Sequence, residues 1–250
     1  MVHMRMRFAL VFAASLLSAA DVKNFSKTVP LDANGRFSLD TYKGSIRISA
    51  WDRPQVDVEA RIVADTSGSF VVPVEDVEIR VEGGGASARV KTDYRKRGSL
   101  FHEGSLPFVH YTIRLPRGAS VQVKDYKSES EIAGVEGDVE FETYKGTARL
   151  DGLRRTLHLS TYKGDIRAIF AAFTAASRVD TYKGTVDLSV PRNASFDLEA
   201  DLERRATLDC AFPVTIRSSR EGSRFRTGVN GGGAELRVSS YRGDIRLRAQ

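Results

Sequence analysis

Apolar residues recur at every second position in short runs along most of this chain. Phe37 and Leu39, Ile46 and Ile48, Val121 and Val123, Val139 and Phe141, Leu157 and Leu159, Val186 and Leu188, Leu236 and Val238, and Ile245 and Leu247 are such pairs. Arg, Glu, Asp, Ser and His stand between them. A period of two places one side of a strand in a core and the other in water. The pattern therefore predicts half-buried strands, and no window after residue 20 has a helical period.

A tetrapeptide joins the runs in pairs. Thr41-Tyr42-Lys43-Gly44 returns at 143–146, 161–164 and 181–184, with close variants at Asp125-Tyr126-Lys127-Ser128 and Ser240-Tyr241-Arg242-Gly243. From Tyr126 the tyrosines follow at steps of 18, 18 and 20 residues. Two short strands cannot bury their apolar face alone, but stacked repeats can. The expected fold is all-β: a right-handed parallel β-solenoid of ~18–20-residue coils with a flanking antiparallel sheet. Threonine should point inward and bond the corner backbone, Tyr and Lys should project outward, and the glycine should supply a positive φ. Ser128, in the glycine place, predicts a strained or differently shaped corner.

Two stretches break the period. Between Tyr42 and Tyr126, alternating runs at Val56–Val63, Val77–Val81, Ala88–Val90 and Val109–Leu115 read as longer antiparallel strands capping or flanking the coils. Gly83-Gly84-Gly85 and a basic loop at 95–104 separate them. Between Tyr182 and Tyr241, Phe196, Leu198 and Ala200 read as one more coil with Asp201 in the tyrosine place. Residues 211–233 then form an excursion, a hairpin with a glycine loop at 231–233, and 234–249 closes the stack. The chain divides into a leader, 1–20, and a single domain, 21–250. In that domain 21–118 holds the first coil plus the antiparallel sheet, and 119–250 the repeat coils.

The leader rests on three features. Arg5 and Arg7 precede the apolar run Phe8–Leu17, and small residues Ser18-Ala19-Ala20 follow, the order of a secretory signal peptide. Its removal predicts an extracytoplasmic protein, periplasmic or at the cell surface, with no membrane span in the mature chain. Basic residues would fall from 38 to 36 against 32 acids, a net charge of +4 instead of +6. That mild, interspersed excess does not call for nucleic acid. The single cysteine, Cys210, cannot form an internal disulfide and reads as a buried small hydrophobe.

The motif order resembles the bacterial DUF4097 family of adhesin-like, β-strand-repeat proteins. Gly44-Ser45-Ile46-Arg47-Ile48 with Trp51-Asp52-Arg53-Pro54 opens it, Ile113-Arg114-Leu115-Pro116-Arg117-Gly118 stands before the repeats, and Gly243-Asp244-Ile245-Arg246-Leu247 ends it. The resemblance spans about residues 30 to 250. It implies a β-solenoid and an extracytoplasmic place, and carries over no catalytic residue.

Candidate chemistry lies at the corners. Tyr126, Tyr144, Tyr162 and Tyr182, with Lys127, Lys145, Lys163 and Lys183, belong to consecutive coils and should form two ladders at one edge; Tyr42, Tyr241, Lys43 and Arg242, separated from them in sequence, would lie near the same edge. Aromatics stack on sugar rings, and a row of cations suits an anionic polymer. The same tyrosines can serve as scaffold by stacking on one another. The reading is a non-enzymatic binding or scaffold protein of the cell envelope, its partners a cell-surface glycan, an anionic polymer or an envelope protein. One alternative is a polysaccharide-acting enzyme using Asp40, Glu142 and Asp180, two before each tyrosine, although Ser160 and Ser239 interrupt that column. A purely structural envelope protein is the other. His102, His110 and His158 are scattered, so neither metal nor other cofactor is implied.

Overall fold

The computed structural model describes residues 22–68, 71–94, 105–203, 205–214 and 223–250. The expected leader and the basic loop at 95–104 lie outside them. The described chain is strand throughout, apart from connections and one 3-10 turn, Val74–Asp76. Before the repeats come β1 (Val22–Pro30), β2 (Arg36–Asp40), β3 (Lys43–Trp51), β4 (Gln55–Val63), β5 (Val77–Gly84), β6 (Ser87–Tyr94) and β7 (Phe108–Pro116). The repeats supply β8 (Ser120–Asp125) with β9 (Lys127–Ala133), β10 (Val139–Thr143) with β11 (Thr147–Leu153), β12 (Leu157–Thr161) with β13 (Ile166–Phe170), and β14 (Ser177–Thr181) with β15 (Thr185–Val190). The rest are β16 (Phe196–Leu202), β17 (Thr207–Cys210), β18 (Ser223–Val229), β19 (Ala234–Ser240) and β20 (Asp244–Ala249).

These form two ten-stranded sheets. One runs β1-β4-β7-β3-β9-β11-β13-β15-β20-β17, the other β18-β16-β19-β14-β12-β10-β8-β2-β6-β5. Each corner sends one strand to each sheet, so every strand pair is a rung. Neighbouring rungs pair in parallel and in register: Phe141 lies between Val123 and Leu159, and Leu150 between Ile132 and Ala168. The alternation does what its period requires. Phe37, Phe141, Leu159, Val179 and Leu236 are buried together between the sheets, and the intervening polar residues face out.

Parallel pairing extends further than the spacing suggested. β6 and β7, expected to flank the coils in antiparallel fashion, run parallel to β2 and β3, with Ala88 opposite Phe37 and Ile113 opposite Ile48. They make a rung of their own. β6, β7 and β16 also take an antiparallel neighbour on their outer side, and β1, β4, β5 and β18 pair in antiparallel fashion alone; these strands extend the same two sheets instead of building a separate one. A period of two reports which face is buried, not strand direction, and this rung has no tetrapeptide to mark it. At this end Lys23 and Lys27 of β1 donate through Nζ to the carbonyls of Val77 and Val81 on β5, at 2.8 and 3.0 Å, tying one edge strand to the other.

The other end differs in order. The β19–β20 rung lies between β14–β15 and β16–β17, so 234–249 does not close the stack. Its Ser-Tyr-Arg-Gly corner matches the repeats and can continue their ladder, whereas the 196–210 segment has no tyrosine or glycine for that place. The outermost position falls to β16–β17, with β18 antiparallel beyond β16. Asp201 faces Ser239, so it occupies the acid column, not the tyrosine place. The glycine loop at 231–233 follows β18, with positive φ at Asn230, Gly231 and Gly232, but it does not close the expected hairpin: β16 lies between β18 and β19 and pairs with both. Cys210 is half-buried on β17 instead of fully buried.

Candidate functional site

Each corner but the first, where the Thr41 hydroxyl accepts instead from the Thr92 hydroxyl at 3.1 Å, is closed by its first residue. The Thr143, Thr161 and Thr181 hydroxyls accept the N–H of Gly146, Gly164 and Gly184 at 2.9, 2.8 and 3.1 Å. Ser240 does the same for Gly243 at 2.9 Å. The corners also bond to one another: Lys145, Lys163, Lys183 and Arg242 donate backbone N–H to the carbonyls of Tyr126, Tyr144, Tyr162 and Tyr182, at 2.7 to 3.0 Å. The tyrosines are thereby held at the spacing of the strand ladder.

The glycines serve a different purpose from the one expected. Of the corner glycines only Gly44 has a positive φ, 135°. The others are small because the next rung is close. A Cβ on Gly164 would lie 2.0 Å from the carbonyl oxygen of Gly146, on Gly184 1.9 Å from that of Gly164, and on Gly243 2.2 Å from that of Gly184. The variant corner is rewired. Asp125 takes the threonine place and accepts from the Ser128 N–H at 2.8 Å, the Ser128 hydroxyl at 2.5 Å and the Thr143 hydroxyl at 3.0 Å. Burial pushes its carboxyl above the usual range, against the pull of those donors.

Six tyrosines form one continuous stack. Ring centroids are 4.7 Å apart for Tyr42–Tyr126, 4.9 Å for Tyr126–Tyr144, 4.6 Å for Tyr144–Tyr162, 4.7 Å for Tyr162–Tyr182 and 4.7 Å for Tyr182–Tyr241. Interplanar angles run from 3° to 15°. Tyr94 meets Tyr42 edge-on at 6.1 Å; lying outside the tetrapeptide, it gave no signal in the sequence. Tyr126, Tyr144, Tyr162 and Tyr182 each have a ring against both faces, so a sugar cannot lie flat on them. Ring edges and hydroxyls remain open, and Tyr144 is 38 % exposed.

The cations stand beside the stack. Lys145 Nζ is 5.4 Å from the Tyr144 centroid, Lys163 Nζ 5.8 Å from Tyr162, Lys183 Nζ 5.5 Å from Tyr182, and Arg242 Cζ 5.4 Å from Tyr241. These and Lys127 are exposed, and none has a carboxylate partner among the described residues. Lys43 leaves the row. Its ammonium bonds Asp65 at 2.5 Å and lies 4.2 Å from the Phe108 centroid, and it holds the Asp65 carboxyl well below the usual range.

A groove of about 600 Å³ runs along the stack, lined by Tyr126 through Tyr241 and by the acid column from Lys124 to Asp201, but by none of the cations of the row. In register that column reads Asp40, Lys124, Glu142, Ser160, Asp180, Ser239, Asp201. Three of its carboxylates are engaged. Glu142 pairs with Lys124 at 3.5 Å, Asp180 with Arg178 at 2.6 Å and with the Ser239 hydroxyl at 2.5 Å, and Asp201 with Arg224. Glu142 and Asp180 are two strands apart, about 9–10 Å at the usual strand spacing, at the outer limit for a hydrolytic carboxylate pair.

No family model matches the chain, and no curated protein matches it. Among solved structures, it is similar to a "putative cell adhesion protein" from Clostridium sporogenes with a TM-score of 0.53 at 11% identity, over 91% of this chain and 100% of that one. A "putative adhesin" from Bacteroides fragilis matches at 12% identity over 90% of this chain and 97% of that one, with a TM-score of 0.36. The first likeness is one of fold alone: the all-β arrangement described above is shared with a protein named for adhesion.

Proposed function

We propose that this is an exported, non-enzymatic, adhesin-like binding protein of the cell envelope. Its two sheets are the walls of a right-handed solenoid, and it engages an extended surface polymer along the Tyr/Lys ladder. The observation that carries the reading is the unbroken run of six stacked tyrosines with unpaired cations beside it. Among the described residues none of the five cations has a carboxylate partner, whereas Arg149, Arg178 and Arg246 on the sheet faces are paired, so the row's charges are open to an anionic ligand. The fold likeness to a protein named for adhesion supports the same reading. The hydrolase alternative loses ground because the candidate acids Glu142 and Asp180 are held by basic neighbours.

A screen of immobilised glycans and envelope polymers against the chain without residues 1–20 tests this. Beside it runs a variant with Tyr144, Tyr162 and Tyr182 changed to Ser and Lys145, Lys163 and Lys183 to Gln, its fold checked by circular dichroism. Binding that disappears in the folded variant supports the ladder as the site. Equal binding by both, or by neither, returns the ladder to scaffold.

A further inference from the structure

We infer that the groove along the tyrosine stack is a binding site for an elongated, planar aromatic cation. The site is separate from the row of cations, none of which lines it.

At about 600 Å³ the groove has the capacity of a small-molecule site. It crosses six strands, β8, β10, β12, β14, β19 and β16, a run of about 24 Å at the usual strand spacing. The in-register pairing of those strands keeps it straight. One wall is aromatic. Its rings are 4.6 to 4.9 Å apart and nearly parallel, so they fill one another's faces and turn their edges to the groove. A ring edge carries the positive side of the quadrupole and pairs with the π face of another aromatic. A sugar stacks on ring faces, which are filled here. A flat conjugated molecule lying lengthwise meets several tyrosine edges at once, and being rigid it loses little freedom on binding.

Charge supplies the rest of the ligand. On the outermost rung Leu202 is in register with Ser240, and Glu203 donates its N–H to the Ser240 carbonyl. Glu203 therefore takes the tyrosine place and ends the aromatic wall with a carboxylate. Asp201 stands in the acid column of the same rung, held by Arg224. Both line the groove, and Glu203 has no basic partner among the described residues. Lys124, the one cation among the described lining residues, is at the opposite end. The groove thus grows acidic toward β16. The cationic head of the ligand lies between Asp201 and Glu203, and its conjugated body runs along Tyr241, Tyr182 and Tyr162.

Thioflavin T, a planar benzothiazolium cation, tests this on the chain without residues 1–20, freed of larger species by size-exclusion chromatography. Its fluorescence should rise and saturate at one dye per chain, and the dye should sediment with that species. D201N/E203Q, its fold checked by circular dichroism, should weaken binding about tenfold. E203Q alone, which disturbs no ion pair among the described residues, should give part of that loss. E129Q/E131Q removes as much charge from the exposed face of the other sheet and should leave the affinity unchanged. Spermine, a linear cation without a π face, should not displace the dye. No bound dye, or equal weakening by the two double variants, would overturn the site. Displacement by equimolar spermine, or equal affinity for the dye's uncharged aniline analogue, would overturn the ligand class.

Discussion

A methyl group on Gly184 would sit 1.9 Å from the carbonyl of Gly164, and one on Gly164 2.0 Å from that of Gly146. The corner glycines therefore form a column in which each makes room for the next. Ser128 escapes because the rung beside it offers Gly44, whose φ of 135° turns its backbone differently, and because Asp125 holds the serine by both N–H and hydroxyl. That exception has a consequence in pH. The folded Asp125 carboxyl titrates above its ordinary 3.8 because burial penalises its charge. Such a group contributes stability that is present below the ordinary value and is lost as pH rises through the raised one. Restoring the repeat with D125T/S128G removes the buried charge. The variant should gain stability over the natural chain at pH 7, and the gain should shrink toward pH 4 and below. Urea midpoints across that range measure it; a gain independent of pH would mean Asp125 is not the source.

At the scale of the strand and its corner, the stacked rings are worth about 0.5–1.5 kcal/mol per pair beyond the area they bury. An interior tyrosine has two such neighbours, so Tyr162→Ala should cost about 1–3 kcal/mol from stacking alone. A double-mutant cycle of Tyr144 and Tyr162, read by chemical denaturation, should return a coupling near one pair's worth. No coupling would show that the rings are adjacent without supporting each other. Much of this element was legible beforehand. The period of two gave the buried face, and the repeated tetrapeptide gave the corner, the inward threonine and the line of tyrosines. Two things were not. The reason for glycine lies in a neighbouring rung, and sequence spacing holds no distance between rungs. Mutual stacking of the rings was one of two readings the ladder offered, and spacing could not choose between them; nor could it show that Lys43 would turn to Asp65.

Across the whole molecule, order in the sequence and order in the stack part company twice: β6–β7 lies outside β2–β3, and β19–β20 lies inside β16–β17. Alternation marked every one of these strands but could not rank them, because parallel in-register pairing looks the same from either side. The second crossing makes a sharp prediction. Deleting residues 192–233 and joining β15 to β19 with a linker like those between the repeats should leave a shorter folded chain, since β14–β15 already pairs with β19–β20. Ending the chain at 230 should be far more damaging, because β16 then loses β19 and keeps only β18, and β17 loses β20. Thermal melts and limited proteolysis of the two chains distinguish them; a truncated chain as stable as the deletion would contradict the topology. The crossing also bears on time. A chain delivered from its N-terminus makes the outermost rung before the one that belongs beneath it. That end of the stack must therefore wait, with a slot open, until β19 and β20 arrive. Their insertion completes this end, and a stop before them leaves a gap in the stack instead of removing one rung.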